Sequence, residues 1–409
     1  MILQTKKFSI TLKKFFAVTI LVSSSLAWFF LFQNYIDELS IGFGVSASLN
    51  NSGTVVFFLS ILVSAIIGSA MAERVDRRRF LFLWIISGLF STLPFLLLQN
   101  EIFWLIFCAL SGISFGIGFP ASQAFFAYST KVEERCRISG LIFLAIFTIV
   151  VFSSVIIQLI NMDVTAILLF TAFIKGTGLL TFVLDPVERE KKPPKSWKRI
   201  LTHKDFGYFI LAYILFNIAN GLVQFILEGL PNTPDYQSAI QSAQLLRYLG
   251  LGFTAFITGF VADRIGRKKP IIIGLILIGI SYALIGLVAS PNTLFLHLIL
   301  SGFAWGIIMV IYLAVPGDLA FPGSGERYYA LGAIIPLILY TSIVNLGTVI
   351  AFNPQINVFS SILSSILFIA ILPILYAKET LPSSKMRKRE MEEHVEKLEK
   401  IVKESQGET

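Results

Sequence analysis

Apolar runs of about 20 residues recur from end to end of this 409-residue chain. A helix of that length crosses a hydrocarbon core of about 30 Å with its backbone polar groups bonded internally. Twelve runs are readable, over about residues 15–36, 52–72, 80–99, 102–128, 138–160, 164–184, 206–229, 238–262, 270–290, 293–317, 328–352 and 355–377. They are long and continuous, whereas membrane strands would be short and alternate. The chain is 55% hydrophobic and 14% charged, too apolar to cover the surface of a soluble protein this long. The expected fold class is an all-α membrane protein of twelve transmembrane helices.

The first run carries an ambiguity. Lys13-Lys14, the stretch Phe15 to Val22 and Ser23-Ser24-Ser25-Leu26-Ala27 have the outline of a secretory signal. The apolar run continues through Trp28 to Phe32, so it reads as an uncleaved first span.

Charge placement sets the orientation. Of the 33 Lys and Arg, 31 lie in the N-terminal segment, in alternate loops and in the tail. Lys175 and Arg247 lie inside runs. By the positive-inside rule both termini face the cytosol, and the chain is a multi-pass protein of the cytoplasmic membrane. The domains expected are a cytosolic segment 1–14, a six-helix bundle 15–184, a central loop 185–205, a second six-helix bundle 206–377 and a charged, helical tail 378–409. In that tail Met391, Val395, Leu398 and Val402 form a narrow apolar stripe.

The two halves repeat. Gly259-Phe-Val-Ala-Asp263-Arg264-Ile-Gly266-Arg267-Lys268 follows span 8, and Ser69-Ala-Met-Ala-Glu73-Arg74-Val-Asp76-Arg77-Arg78 follows span 2. Glu134-Arg135 with Gly140 matches Glu326-Arg327 with Gly332, and Gln33 with Asp37 matches Gln224 with Glu228. The three offsets are nearly equal and fall at matching ends of the spans. With six spans per half, this is a parallel repeat about an axis along the membrane normal.

Several functions are excluded or unsupported. No G-x-x-x-x-G-K-[ST] phosphate loop is present, which argues against a nucleotide-driven pump. Cys108 and Cys136 define no disulfide framework, and His203, His297 and His394 do not cluster, so no metal or other cofactor is expected. No convergent nucleophile, base or ligand set points to an enzyme. The basic stretch Lys191 to Arg199 in the central loop suits anionic inner-leaflet lipid rather than nucleic acid.

On the paired loops and the 6+6 layout, the chain resembles the major facilitator superfamily over about residues 10–380. The second loop matches every position of that family's G-x-x-x-[DE]-R-x-[GD]-R-[RK] motif. In the first, Ser69 replaces the leading Gly. The resemblance implies two six-helix bundles related by a pseudo-two-fold axis, a cytosolic latch built on the two loops, and a cavity lined by spans 1, 4, 7 and 10. It implies nothing about the substrate. The Arg that many proton-coupled members carry three residues before a span-4 Gly is absent, because Ala109 and Ile113 stand there. The drug-antiporter signature of span 5 is absent, and the sugar-porter signatures are degraded at Asp185 to Arg189 and at Lys378-Glu379-Thr380.

Polar residues inside spans are costly and face cavities or one another. Asn217, Asn220, Gln224 and Glu228 form one helical face of span 7; Gln33 and Asp37 stand in span 1, and His297, Ser301, Trp305 and Tyr312 in span 10. Arg247, near mid-membrane in span 8, requires a carboxylate, carbonyls, water or an anionic solute. Lys175 in span 6 reads as packing or snorkelling. The expected function is a monomeric secondary transporter of a small solute by alternating access, with Asp37 and Glu228 as proton-carrier candidates and Arg247 favouring an anion. An uncoupled facilitator, a drug-efflux protein of the same fold and a non-transporting receptor are the alternatives.

Overall fold

The structure, a computed structural model, describes residues 10–184, 195–228, 230, 233–336, 338–340, 342–343 and 355–382, without the side chains of Glu228 and Ala333. Among these residues eleven helices are long and apolar enough to cross a membrane. They are Leu12–Asn34, Ala47–Ala72, Arg77–Leu96, Glu101–Ser129, Arg135–Ile160, Val164–Leu184, Lys204–Leu227, Pro234–Ile265, Lys268–Leu287, Pro291–Leu319 and Ile356–Tyr376. They fall on expected spans 1–10 and 12. The start of expected span 11 is an α-turn, Gly325–Tyr329, followed by a π-helical turn, Ala330–Ile334. Residues 344–352 of that span lie outside the described residues, as do 185–194 of the central loop and the tail from 383.

Local chemistry sets the helix ends. The Asp76 carboxylate accepts from Arg79 N at the start of span 3, Asn100 accepts from Ile102 N at span 4, and Asp163 accepts from Ala166 N at span 6. Each side-chain oxygen replaces a carbonyl that the first turn lacks. Span 4 is interrupted: its first part ends at Gly116 and its second begins at Phe119. Pro120 has no N–H to give to Gly116, and Trp84 Nε1 donates to Ser114 O next to the break.

The two halves meet most closely where span 5 crosses span 8. A Cβ on Gly140 would stand 2.6 Å from Ala255 O, and one on Gly259 would stand 2.5 Å from Cys136 O. Backbone therefore lies against backbone, as small residues allow between membrane helices. Large apolar side chains such as Phe152, Leu159, Phe173, Phe253 and Leu372 are exposed on the perimeter, where lipid would cover them.

Candidate gate and substrate site

Both loop motifs lie on one face of the bundle, here termed the basic face, and each reaches into the opposite half. Asp263 ends span 8 with its carboxylate at the N-terminus of span 5. It accepts from Cys136 N at 3.2 Å and Arg137 N at 2.9 Å. The Arg137 and Arg267 side chains pair with it at 3.2 and 3.1 Å. An anion there completes the orphan amides of the helix and faces the positive end of its dipole. Glu73, the counterpart in the first half, does something different. It meets the Arg327 guanidinium in a two-point pair, 2.6 Å at each nitrogen. Arg77 pairs with Glu326 at 2.7 Å and lies over the Tyr128 ring.

A fourth carboxylate joins the halves. Asp318, near the end of span 10, binds Arg135 at 2.6 Å and Arg267 at 3.2 Å, and it accepts from the Thr380 hydroxyl at 2.9 Å. Arg267 is fully buried and its Nη2 also donates to Val132 O. Gly266, with φ +95°, turns the chain so that Arg267 N and Lys268 N both donate to Glu379. Lys268 Nζ donates to the Leu375 and Ala377 carbonyls that end span 12. By contrast Arg74, Arg78 and Arg264 are exposed. Part of the central loop docks on the same face, where Arg327 lies over Trp197 and Arg199 over Phe321. Burial lowers the nearby His203 imidazole below its ordinary value, with Asp205 opposing, and its Nδ1 is 2.8 Å from the Tyr328 hydroxyl.

Toward the opposite face, spans 7, 8 and 10 line a half-open cavity of about 340 Å³. Gln224, Gln244, Arg247 and Tyr248 supply its polar lining, and Leu227, Leu294 and Leu298 an apolar wall. Arg247 is half-buried and pairs with no carboxylate among the described residues. Tyr248 donates to Asn34 of span 1 at 2.8 Å, a bridge between the halves beside the cavity.

The Major Facilitator Superfamily model matches residues 15–351. The chain belongs to that superfamily.

Its fold agrees with two solved members. The chain is similar to the human organic anion transporter MFSD10 (TETRAN), with 15% identity, a TM-score of 0.67, and 88% of this chain and 99% of that one covered. It is equally similar to the proton:xylose symporter XylE bound to 6-bromo-6-deoxy-D-glucose, with 15% identity, a TM-score of 0.68 and coverage of 90% and 96%. No curated protein matches it in sequence. Members of the superfamily are transporters, and this one has the superfamily's fold of twelve helices in two bundles.

Within this superfamily fold the predicted site residues separate. Gln224 and Arg247 line the cavity. Asn220 lies in the interior of the second half, where its Oδ1 accepts from Tyr282 OH at 2.7 Å and Trp305 Nε1 at 3.0 Å. Trp305 is thereby committed to packing, with its ring against Phe216. Asn217 is buried, its Nδ2 on Tyr213 O. His297 is buried between spans 9 and 10 with Nδ1 2.7 Å from Ser281 Oγ. Ser301 bonds Leu298 O, and Tyr312 bonds Phe209 O. Gln33 is half-buried. Asp37 is exposed in the short helix Ile36–Gly42 and accepts from Asn50 at 2.7 Å. Glu228 closes span 7, and its side chain lies outside the described residues. Sequence reading missed Asp318, Tyr128, Arg137 and Glu379 as parts of the basic-face cluster, and it used Arg135, Glu326 and Arg327 only as evidence of the repeat. The one available signal was that Asp318 is the lone carboxylate closing an otherwise apolar run, just after Pro316-Gly317.

Proposed function

We propose that this protein is a secondary transporter of a small organic anion in the cytoplasmic membrane. It works by alternating access as a monomer, with the basic face toward the cytosol. The observation that carries the reading is Arg247. A permanent cation stands in a membrane cavity with no carboxylate partner among the described residues, beside two amides and an apolar wall. A carboxylate or sulfonate on an apolar body satisfies that lining. Similarity to a solved organic anion transporter agrees with this reading. The ion pairs that join the halves on the basic face act as a latch on the state closed to the cytosol, and they break when the cavity opens that way. The exposed Arg74, Arg78, Arg79 and Lys269 side chains face anionic inner-leaflet lipid.

The test is uptake by proteoliposomes of a labelled panel of aromatic carboxylates, dicarboxylates, sulfonates and neutral sugars, with and without a pH gradient. Saturable uptake of at least one anion, abolished by Arg247→Ala, is expected. Movement of the sugars alone would overturn the anion assignment, and movement of nothing would overturn the transporter reading.

A further inference from the structure

Lys175 stands midway along span 6, the 21-residue helix Val164–Leu184, and it does not snorkel. Its side chain is fully buried inside the first half. Nζ donates to Ser114 Oγ at 3.0 Å and sits 4.0 Å from the centroid of the Trp28 ring. Gly88 of span 3 makes room for it, since a Cβ there would lie 2.2 Å from Cε and 2.4 Å from Nζ. Ser114 is two residues before the end of the first part of span 4, so the amine sits beside the break in that helix. Interrupted helices at mid-membrane are where transporters of several folds hold small cations.

No carboxylate among the described residues reaches Lys175. The charged groups on the elements packed around it stand toward their ends: Lys13 and Lys14 on span 1, Arg77, Arg78 and Arg79 on span 3, Glu101 on span 4, Asp163 ahead of span 6, and Asp37 and Glu38 on the short helix. Of the other titratable groups, Tyr35 and Tyr128 close spans 1 and 4, and the Cys108 thiol lies midway along the first part of span 4. Glu101 is thirteen residues from Ser114 on the same span, about 20 Å at 1.5 Å per residue. Asp163 is twelve residues from Lys175, about 18 Å. A π face and a hydroxyl are the partners of the amine there, and neither offsets a full charge as a carboxylate would.

The carboxylates elsewhere are no better placed. Every acidic residue within a described span lies within three residues of its end: Glu101, Asp205, Glu228, Asp235, Asp263 and Asp318. Arg247 lies in the other half, where it lines the cavity of spans 7, 8 and 10. His297 is engaged on Ser281 in the other half.

We propose that Lys175 is the proton-binding group of this transporter. In the conformation closed on the basic face the buried amine, with Ser114 and the Trp28 ring for partners and no carboxylate, gives its proton up to water and stays neutral, because removal from water disfavours the ammonium. It takes a proton from water again when the conformation changes and water reaches Nζ. The break at Gly116 to Pro120 is the segment whose bending opens a path to it. The role as coupling ion site rests on the transporter reading, and the test below does not need a transported solute.

The test is a spin-label distance measurement on the full chain in lipid nanodiscs. Labels go at Arg79→Cys and Lys269→Cys, one exposed site on each half of the basic face, with Cys108 and Cys136 replaced by Ala. Between pH 9 and 6.5, acidification is expected to lower the closed-to-open ratio, by up to about tenfold per pH unit for one linked proton. Lys175→Met is expected to fix the ratio at every pH, and Lys175→Arg, which keeps the charge, to hold the open form throughout. Trp28→Leu leaves the amine in place and moves the response to lower pH, which keeps the proposal testable should Lys175→Met fail to fold. An unresponsive wild type, or a Lys175→Met chain that responds like wild type, would overturn the proposal. A normal pH response with no solute moved in the uptake panel would instead remove the transporter reading and leave the proton site standing.

Discussion

Arg327 and Glu73, 254 positions apart, face each other with two parallel hydrogen bonds of 2.6 Å. Glu73 is 5% exposed at its side chain and Arg327 14%, so the pair is shielded from solvent. It ties the end of span 2 to the start of span 11, the mirror of the tie that Asp263 makes between spans 8 and 5.

Removing one partner of a buried pair leaves an uncompensated charge, at a cost of about 3–5 kcal/mol. Glu73→Gln and Arg327→Met are each expected to depopulate the closed form, and the double variant to cost less than the two single costs added. A double-mutant cycle on the spin-label distance between the halves measures this. Strict additivity would show that the pair contributes nothing to closure.

Cys136 reports on the other tie. Its thiol is buried beside Gly259 and Asp263. Gly259→Val places branched methyls against the Cys136 carbonyl, and Asp263→Asn removes the charge at the start of span 5. Both are expected to raise maleimide labelling of Cys136 at least about tenfold, equivalent to 1.4 kcal/mol of closure. Unchanged labelling in Gly259→Val would mean that the halves do not meet there in solution.

Arg247→Ala is expected to weaken anion binding by at least about tenfold, and Arg247→Lys to weaken it less, because charge survives without the two-point geometry. Isothermal titration against members of the uptake panel checks the order. Equal affinities for the three chains would remove Arg247 from the binding site.

Glu379 closes the turn at Gly266 by accepting from Arg267 N, Lys268 N and Leu381 N. Gly266→Ala places a side chain 2.4 Å from its carboxylate at a φ of +95°. A cost of at least about 1 kcal/mol follows from the backbone alone. Hydrogen exchange over residues 377–382 is expected to accelerate in Gly266→Ala and in Glu379→Gln, and to match wild type if this contact does not form.

The docking of Trp197 to His203 carries a pH signature. Burial lowers the His203 imidazole below its ordinary value, so the undocked segment binds more protons than the docked one. Docking is fully stable above about pH 6.5, the free imidazole value, and weakens as pH falls through that range toward the lowered value. Exchange at residues 197–203 should rise on going from pH 7.5 to 5.5, and the rise should vanish in His203→Gln.

Spans and loop motifs were legible in the sequence because lipid imposes length and apolarity on a helix whatever its neighbours are. The duplication was legible because equal offsets survive in Glu73 and Asp263. The site was less legible. Helical spacing placed Asn217, Asn220 and Gln224 on one stripe, but it could not tell a cavity from a neighbouring helix, and Tyr282 and Trp305 claim Asn220 for packing. Spacing likewise could not show that Lys175 points inward, because Trp28, Gly88 and Ser114 come from three other spans. Asp318 escaped because its partners Arg135 and Arg267 are 183 and 51 positions away.

The crossing of Gly140 and Gly259 has a mechanical corollary. A joint of carbonyls and α-carbons offers no side-chain rotamers to snag as one helix slides on the other, so it works as a low-friction bearing. The detents are the ion pairs at its rim. Bearing and detents are then separable: changes at Glu73, Asp263 or Asp318 release a detent and leave the bearing intact, whereas bulk at Gly140 or Gly259 prises the bearing itself apart.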